Sequence, residues 1–350
     1  MSTDRLGIHR SLDSGGQPSR LFPQQAERLN PSLPIGDDEL LIDVESLNID
    51  SASFHQIWEA CGKDAARVEK HIIDLVKTRG KHHNPVTGSG GMLLGRVKQV
   101  GAQFPIAEKP VKVGDRIATL VSLSLTPLEI RKIIAIHPET DRVDIEGHAI
   151  LFASGLFARL SGDIPDTVAL AVLDVAGAPA QTRKLVHPGD TVVVVGGGGK
   201  SGVLCLYEAK RQAGVTTIAV DYSQASLDRL KKLKFVDHVI QADARDAVTV
   251  QKQVSAVTGG KMADLVINVA NLPETEMSCI LSCRPQGIVY FFSMATSFTR
   301  AALGAEGVGA DVDLRIGNGY TQGHADLALS LLKESPELYH LFSELYSRGV

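Results

Sequence analysis

Four consecutive glycines close a run of valines in the stretch VVVVGGGGKSG, where Gly197, Gly199 and Gly202 fit the spacing G-x-G-x-x-G. In that pattern the first glycine permits a tight turn, the second lets the backbone approach a pyrophosphate, and the third brings helix and strand together. Lys200 and Ser201 open the next helix, whose free N–H groups and positive dipole end favour phosphate. Asp221 ends the following apolar run, 19 residues after Gly202. An acid at that distance accepts from the adenosine ribose diol and repels a 2′-phosphate. Tyr222 and Ser223, which follow it, are not basic, so the expected cofactor is NAD rather than NADP. Asn268, Ala270 and Ser293 end two later apolar runs, where ribose and nicotinamide should lie; ordinary strand ends explain them equally well. A second group is His82 and His83, beside Lys81 in the loop KHHNPVTGSGG, whose unperturbed pKa suits proton transfer near neutrality.

A glycine turn of this kind works only between a strand and a helix, and here it sits between TVVVV and the amphipathic VLCLYEAKRQAG. The runs TTIAVDYS, DHVIQAD, ADLVINVA and GIVYFFSM follow, separated by helical or turn-rich segments. This rhythm predicts βαβ units and a doubly wound parallel sheet, a Rossmann domain over residues 161–325. DTVALAVLDVAGAPAQTRKL reads as one alanine-rich helix ahead of it, and residues 326–350 as a C-terminal helix. Upstream, ELLIDVESLNID alternates as a strand and SFHQIWEACGKDAARVEKHIIDLVKTRG is helical. Glycine-punctuated strands then continue to about residue 160. Residues 1–160 therefore read as a small β-barrel with one inserted helix, preceded by some forty Pro-, Gly- and Ser-rich residues stretched over the surface.

Composition sets the outer bounds. The 350 residues exceed what one core usually serves. Hydrophobic residues at 44% and charged residues at 22% describe an ordinary α/β globule. Lys and Arg number 36 against 40 Asp and Glu, a net charge of −4 with no long block of either sign, which argues against nucleic acid and anionic membranes as partners. The polar start MSTDRLGIHR and the lack of a long apolar run point to the cytoplasm. Cys61, Cys205, Cys279 and Cys283 are too scattered for a disulfide framework.

The order of parts, a β-rich domain holding VKVGDRI, a linking helix and then PGDTVVVVGGGGKSG, resembles the medium-chain dehydrogenase/reductase superfamily. That resemblance implies a GroES-like catalytic domain beside the Rossmann domain. Superfamily members often hold a catalytic zinc with a Cys and a Gly-His-Glu motif. The corresponding stretches here, NIDSAS and SGGMLLG, offer neither, and the cysteine-rich lobe is also missing. Cys279 and Cys283 at i and i+4 read as core residues, so no metal is expected. More specifically, LIDVESLNIDSASF and RGKHHNPVTGSGGMLLGRV look like the N-terminal domain of the L-erythro-3,5-diaminohexanoate dehydrogenase family. The resemblance implies NAD-dependent conversion of that diamino acid to 5-amino-3-oxohexanoate and ammonium.

Hydride leaves C3 only when its nitrogen can push electrons, so the amine must first lose a proton, and the resulting iminium must then meet a positioned water. His82 and His83 are the candidate bases. Asp50, where superfamily members place an active-site residue, could hold an ammonium or simply cap a helix. Ser51, Ser53 and Asn84 could orient water or substrate, and Thr87, Ser89 and Gly90 could approach the carboxamide. Glu146 is a further polar candidate near the expected domain junction. Arg96 and Arg159 are candidate carboxylate binders or surface ion-pair partners. The active site is expected in the cleft between the domains, and the superfamily's edge-to-edge sheet pairing implies a homodimer or a dimer of dimers. The competing readings are a zinc-independent quinone or enoyl reductase and a nucleotide-binding protein without catalysis.

Overall fold

The protein's structure, a computed structural model, describes residues 4–347. Met1–Thr3 of the polar start and Arg348–Val350 at the chain end lie outside the described residues. The chain divides into two units, residues 1–166 and residues 167–348.

In the first unit the leading segment carries β1 (Ser11–Leu12) and β2 (Arg28–Leu29), paired antiparallel. Then come β3 (Glu39–Asn48), α1 (Ser51–Ala60), α2 (Ala65–Arg79), β4 (Met92–Val100), β5 (Arg116–Thr119), β6 (Leu128–His137), β7 (Arg142–Phe152) and β8 (Phe157–Arg159). The last six strands form one antiparallel sheet in the order β6-β7-β3-β4-β5-β8. Leu40, Ile42 and Val44 of β3 pack with Ile72 and Val76 of α2 in its core, so the period-two and helical patterns read from the sequence bury the same interior. The inserted helix is two helices. Gly62 and Lys63 take positive φ of 67° and 60°, which no helix continues through, and the Asp64 carboxylate restarts the chain by accepting from the Arg67 N–H at 3.0 Å.

The leading segment is anchored by charge as well as by strands. The buried Glu39 carboxylate accepts from Arg10 Nε and Nη2, both at 2.6 Å, from the Gly36 N–H at 2.6 Å, and pairs with His9 Nε2 at 2.8 Å. Burial alone would raise its pKa; the hydrogen bonds from His9, Arg10 and Gly36 outweigh it and hold the group at about 2, against an ordinary 4.5. A depressed carboxylate stabilises the fold fully above its unfolded pKa, and that contribution disappears as pH falls through the folded value. Stability should therefore drop between pH 4.5 and about 2. Thermal melts across that window should show a flatter pH dependence for Glu39→Gln, which also costs about 3–5 kcal/mol at neutral pH by stranding Arg10.

The second unit alternates helices and strands: α3 (Asp166–Leu173), α4 (Gly177–Leu185), β9 (Thr191–Val195), α5 (Lys200–Lys210), β10 (Thr216–Asp221), α6 (Gln224–Leu230), β11 (His238–Gln241) and α7 (Ala247–Thr258). It continues through β12 (Ala263–Asn268), α8 (Glu276–Ser282), β13 (Cys283–Phe291), α9 (Phe298–Gly307), β14 (Asp313–Ile316), α10 (His324–Glu334) and α11 (Pro336–Tyr346). The strands form a parallel sheet in the order β11-β10-β9-β12-β13-β14, the doubly wound arrangement that reverses beside β9. Two single-helix expectations are corrected here. The linking helix breaks after Leu173 and resumes at Gly177, where a Cβ would lie 2.2 Å from the Gly319 carbonyl oxygen. The C-terminal stretch is two helices, because the Ser335 hydroxyl caps a new one by accepting from the Leu338 N–H and Pro336 sits at its first turn. No helix among the described residues is long and apolar enough to cross a membrane.

Candidate functional site

The glycine turn after β9 is a cradle with no room for side chains on its inner walls. Gly196 takes φ 86°, and a Cβ on it would lie 2.8 Å from Ala270 Cα; one on Gly202 would lie 2.4 Å from the Gly196 carbonyl oxygen. Gly202 thus sets how closely α5 approaches the strand. The tight turn belongs to Gly196 rather than to Gly197, whose added Cβ would instead meet Ala219 Cβ at 2.8 Å. Gly199 is the open position: the nearest atom to its Cβ site is the Gly196 oxygen at 3.6 Å. It precedes α5, whose first N–H groups have no partner within the helix.

Asp221 closes the cradle. Its Oδ2 accepts from the Gly198 N–H at 2.9 Å and its Oδ1 from the Ser223 N–H at 3.1 Å, so the carboxylate is oriented while each oxygen keeps a lone pair for a hydroxyl. Asp221, Tyr222, Gly199, Ala270 and Tyr346 wall a cavity of about 540 Å³, within the usual range for small-molecule sites. A pyrophosphate-linked nucleotide fits this donor set: bare backbone at the turn, a helix N-terminus, and an anchored acid beside it. Sequence reading missed Arg229, Arg245 and Tyr346 on the same cavity wall. Arg229 donates to Ser226 Oγ at 3.1 Å, and Asp243 holds Arg245 through two bonds of 3.0 and 2.7 Å. The position of Arg245 just beyond β11, at the carboxyl edge of the sheet, was the available signal.

Other expected cofactor residues are placed less directly. Lys200 donates its ammonium to Asp174 at 2.6 Å and lies 5.9 Å from the Tyr346 ring centroid; its contribution to the cradle is backbone, and Ser201 follows in the same first turn. Asn268 is buried, donating to Thr275 Oγ1 at 2.8 Å and accepting from the Ala270 N–H at 3.2 Å. Ser293 Oγ accepts from the Ala295 N–H. Asn268 and Ser293 shape the strand-end turns without lining the cavity, and Ala270 lines it.

In the first unit, the 81–91 loop folds against the end of β3 and the start of α1. Gly91, at φ 100°, permits this, since a Cβ there would lie 2.2 Å from the Asn48 oxygen. The loop brings three hydroxyls together: buried Ser53 Oγ lies 2.6 Å from Ser89 Oγ and also hydrogen-bonds Thr87 Oγ1. Asn84 is the loop's brace. Its amide donates to Gln56 Oε1 at 2.9 Å while its oxygen accepts from the Val86 N–H at 2.9 Å. Asp50 sits at the N-cap position of α1 without capping it, and its half-buried carboxylate has no hydrogen bond or ion pair among the described residues. Ser51 is exposed and donates to Asp141. Glu146 is exposed on β7 opposite Lys132 of β6, and among the described residues no hydrogen bond or ion pair ties it to this loop. Arg96 pairs with Glu45 at 3.0 Å.

The adjacent histidines differ in kind. His82 is wholly buried, and its Nδ1 must donate to the Gly90 carbonyl at 3.1 Å, which leaves Nε2 unprotonated and without a partner. Burial, then the nearby His71 and His83, lowers its pKa to about 4, against the pull of the Gly90 bond. His83 is half-buried, with Nδ1 unpartnered, and burial followed by the charges of Lys81 and Arg79 lowers its pKa. As candidate bases the two are not equivalent: His82 is a core ring, His83 a half-buried one whose surroundings favour the neutral form. Lys81 is buried too, donating to the Pro23 and Ala26 carbonyls at 2.8 and 2.7 Å.

Among the described residues no three or more His, Cys, Asp or Glu groups gather as a metal site. Cys279 and Cys283 are buried free thiols, and burial pushes Cys283 up to about 12.

Comparison with known proteins bears on both units. Residues 13–161 match the family described as L-erythro-3,5-diaminohexanoate dehydrogenase N-terminal domain, and residues 202–305 the one described as zinc-binding dehydrogenase. L-erythro-3,5-diaminohexanoate dehydrogenase of Acetoanaerobium sticklandii is 50% identical over 98% of both chains, and that of Fusobacterium nucleatum subsp. nucleatum 49% identical over 98% of both. The solved quinone oxidoreductase of Pseudomonas syringae pv. Tomato DC3000 superposes with a TM-score of 0.57 at 20% identity, covering 87% of this chain and 83% of that one, a likeness of fold. With about half of its residues identical to two such enzymes over 98% of its length, and its first unit matched by their N-terminal family, the chain belongs to the L-erythro-3,5-diaminohexanoate dehydrogenase family of oxidoreductases.

Proposed function

We propose that the protein catalyses NAD-dependent oxidative deamination of L-erythro-3,5-diaminohexanoate to 5-amino-3-oxohexanoate and ammonium, with no metal. The observation that carries this reading is half identity over 98% of the chain to enzymes of that name, joined to a cradle whose acid, Asp221, is anchored for a ribose diol. The turn Gly196–Gly199, the start of α5, Asp221 and Ala270 would hold the dinucleotide. Bound there, the nicotinamide supplies the hydride acceptor. NAD is favoured over NADP because Asp221 would repel a 2′-phosphate while Asp243 and Ser226 already engage the two nearby arginines.

The remaining chemistry falls to the first unit. His83, whose burial and cationic neighbours favour the neutral ring, removes the proton from the C3 ammonium, so that the nitrogen lone pair can drive hydride loss. Asp50, whose carboxylate has no hydrogen bond or ion pair among the described residues, holds an ammonium group of the substrate. The Ser53, Thr87 and Ser89 hydroxyls orient the water that hydrolyses the iminium, and Asn84 fixes the loop that presents them. Ser51 and Glu146 have no step in this scheme. The exposed edge strand β14, which shows Ile316 to solvent, offers a row of unpaired backbone groups for assembly into a homodimer or dimer of dimers.

The reading is tested by initial rates of NADH formation with 3,5-diaminohexanoate, β-lysine and 3-aminobutyrate, with and without a chelator, beside NADH oxidation by a quinone. It expects turnover of the diamino acid far above the rest and insensitivity to chelation. Quinone reduction as the main activity would favour the reductase reading. Asp221→Ala should reduce the preference for NAD over NADP by about tenfold or more, the loss of one or two hydrogen bonds to a charged group; the ratio of kcat/KM for the two nucleotides measures it.

A further inference from the structure

A second cavity, of about 300 Å³, lies wholly within the first unit, between the leading segment, α2 and β6. About half of its wall is apolar, contributed by Leu12, Leu29, Ile73, Val76, Leu128 and Ile130. The charged residues on the wall are Arg28, Lys77 and Glu129. Neither cation has a hydrogen bond or ion pair among the described residues, and Arg28 Nε is buried with no acceptor. Glu129 is 3.9 Å from His148 Nδ1, and its side chain is 48% exposed. Two cations against one carboxylate leave the wall with one positive charge in excess, and the buried Arg28 Nε is the donor without an acceptor.

A buried guanidinium N–H without an acceptor is costly, and the remedy is an anion that brings its own acceptors. Arginine matches a carboxylate in geometry and charge. The aliphatic wall adds a second requirement, because a fully polar anion such as phosphate would leave it unfilled, whereas a short hydrocarbon chain would bury against it. We propose that this cavity is a binding site for a short-chain aliphatic carboxylate, with Arg28 and Lys77 receiving the carboxylate and the leucine and isoleucine side chains receiving the chain.

The site is coupled by position to the loop described above. Gly80, on the cavity wall, ends α2 and precedes Lys81 and the two histidines. It packs so closely on the leading segment that a Cβ there would lie 1.8 Å from the Leu29 oxygen. An occupant would thus touch the segment, the end of α2 and β6 together, and should stiffen their junction.

Hexanoate is the probe, titrated into the full-length protein by calorimetry, with inorganic phosphate and hexylamine as controls. Saturable hexanoate binding is expected, with phosphate and hexylamine about tenfold or more weaker. Lys77→Met removes an exposed side chain and leaves the fold intact, and it should weaken hexanoate binding by roughly tenfold. Arg28→Leu should weaken it further. Ile73→Phe, which fills part of the cavity, should favour acetate over hexanoate. Hexanoate affinity unchanged in both Lys77→Met and Arg28→Leu, phosphate binding as tight as hexanoate, or no saturable binding up to about 10 mM would overturn the proposal. The readout is binding alone, so it stands or falls separately from the dehydrogenase reading.

Discussion

His83→Ala is expected to lower kcat for 3,5-diaminohexanoate by about 10²- to 10⁴-fold, the usual contribution of a positioned general base, with nucleotide affinity unchanged. Burial and the neighbouring charges of Lys81 and Arg79 hold its pKa below the ordinary 6.5. Because the neutral ring is the active form, kcat/KM should fall on the acid side, with a midpoint below 6.5, and this limb should vanish in the variant. His82→Ala should act differently. The ring is in the core and hydrogen-bonds the Gly90 carbonyl, so its removal should cost about 1–3 kcal/mol of stability and leave the acid limb in place. Steady-state rates against pH, with thermal melts of both variants, separate the two roles. Unchanged turnover in His83→Ala would remove that residue from the mechanism.

Gly202→Val is the second large effect. The first added carbon would lie 2.4 Å from the Gly196 oxygen and 2.7 Å from Gly197 Cα, atoms of the backbone that cannot yield as a flexible side chain does. The start of α5 must back away from the turn, and its N–H groups move with it. Loss of one or two hydrogen bonds to a charged pyrophosphate should weaken NADH binding, measured by fluorescence titration, by about 10- to 100-fold. Strain of this kind also costs about 1–3 kcal/mol. A melting curve that stays cooperative would show that the fold survives while the cradle fails.

What could be read in the sequence was what is local. The valine strand, the glycine spacing and Asp221 occupy one βαβ unit, and the periodic burial of β9 and β10 follows from short-range pattern. The pairing of Cys279 and Cys283 as core residues was legible for the same reason. The helix breaks were not, because Gly62 and Lys63 turn into positive φ and Gly177 meets Gly319 through contacts that no periodicity announces. His82 and His83 are neighbours in sequence and opposites in environment, a distinction made by the fold of the loop around Gly90. Tyr346 reaches the cavity beside the glycine turn from more than a hundred residues beyond Asp221, and Arg245 from another strand end. Asn84 looked like a group for water or substrate; its amide is spent on Gln56 and Val86.

In the proposed reaction hydride leaves C3 of the diamino acid for a nucleotide held at the glycine turn. This transfer is tested most directly with 3,5-diaminohexanoate deuterated at C3 and NAD, by following the label and the released ammonium together. Deuterium is expected in the reduced nucleotide, with one ammonium per nucleotide reduced, and both should form far more slowly in Gly202→Val at the same nucleotide concentration. Deuterium retained in the organic product, or nucleotide reduced without ammonium release, would contradict it.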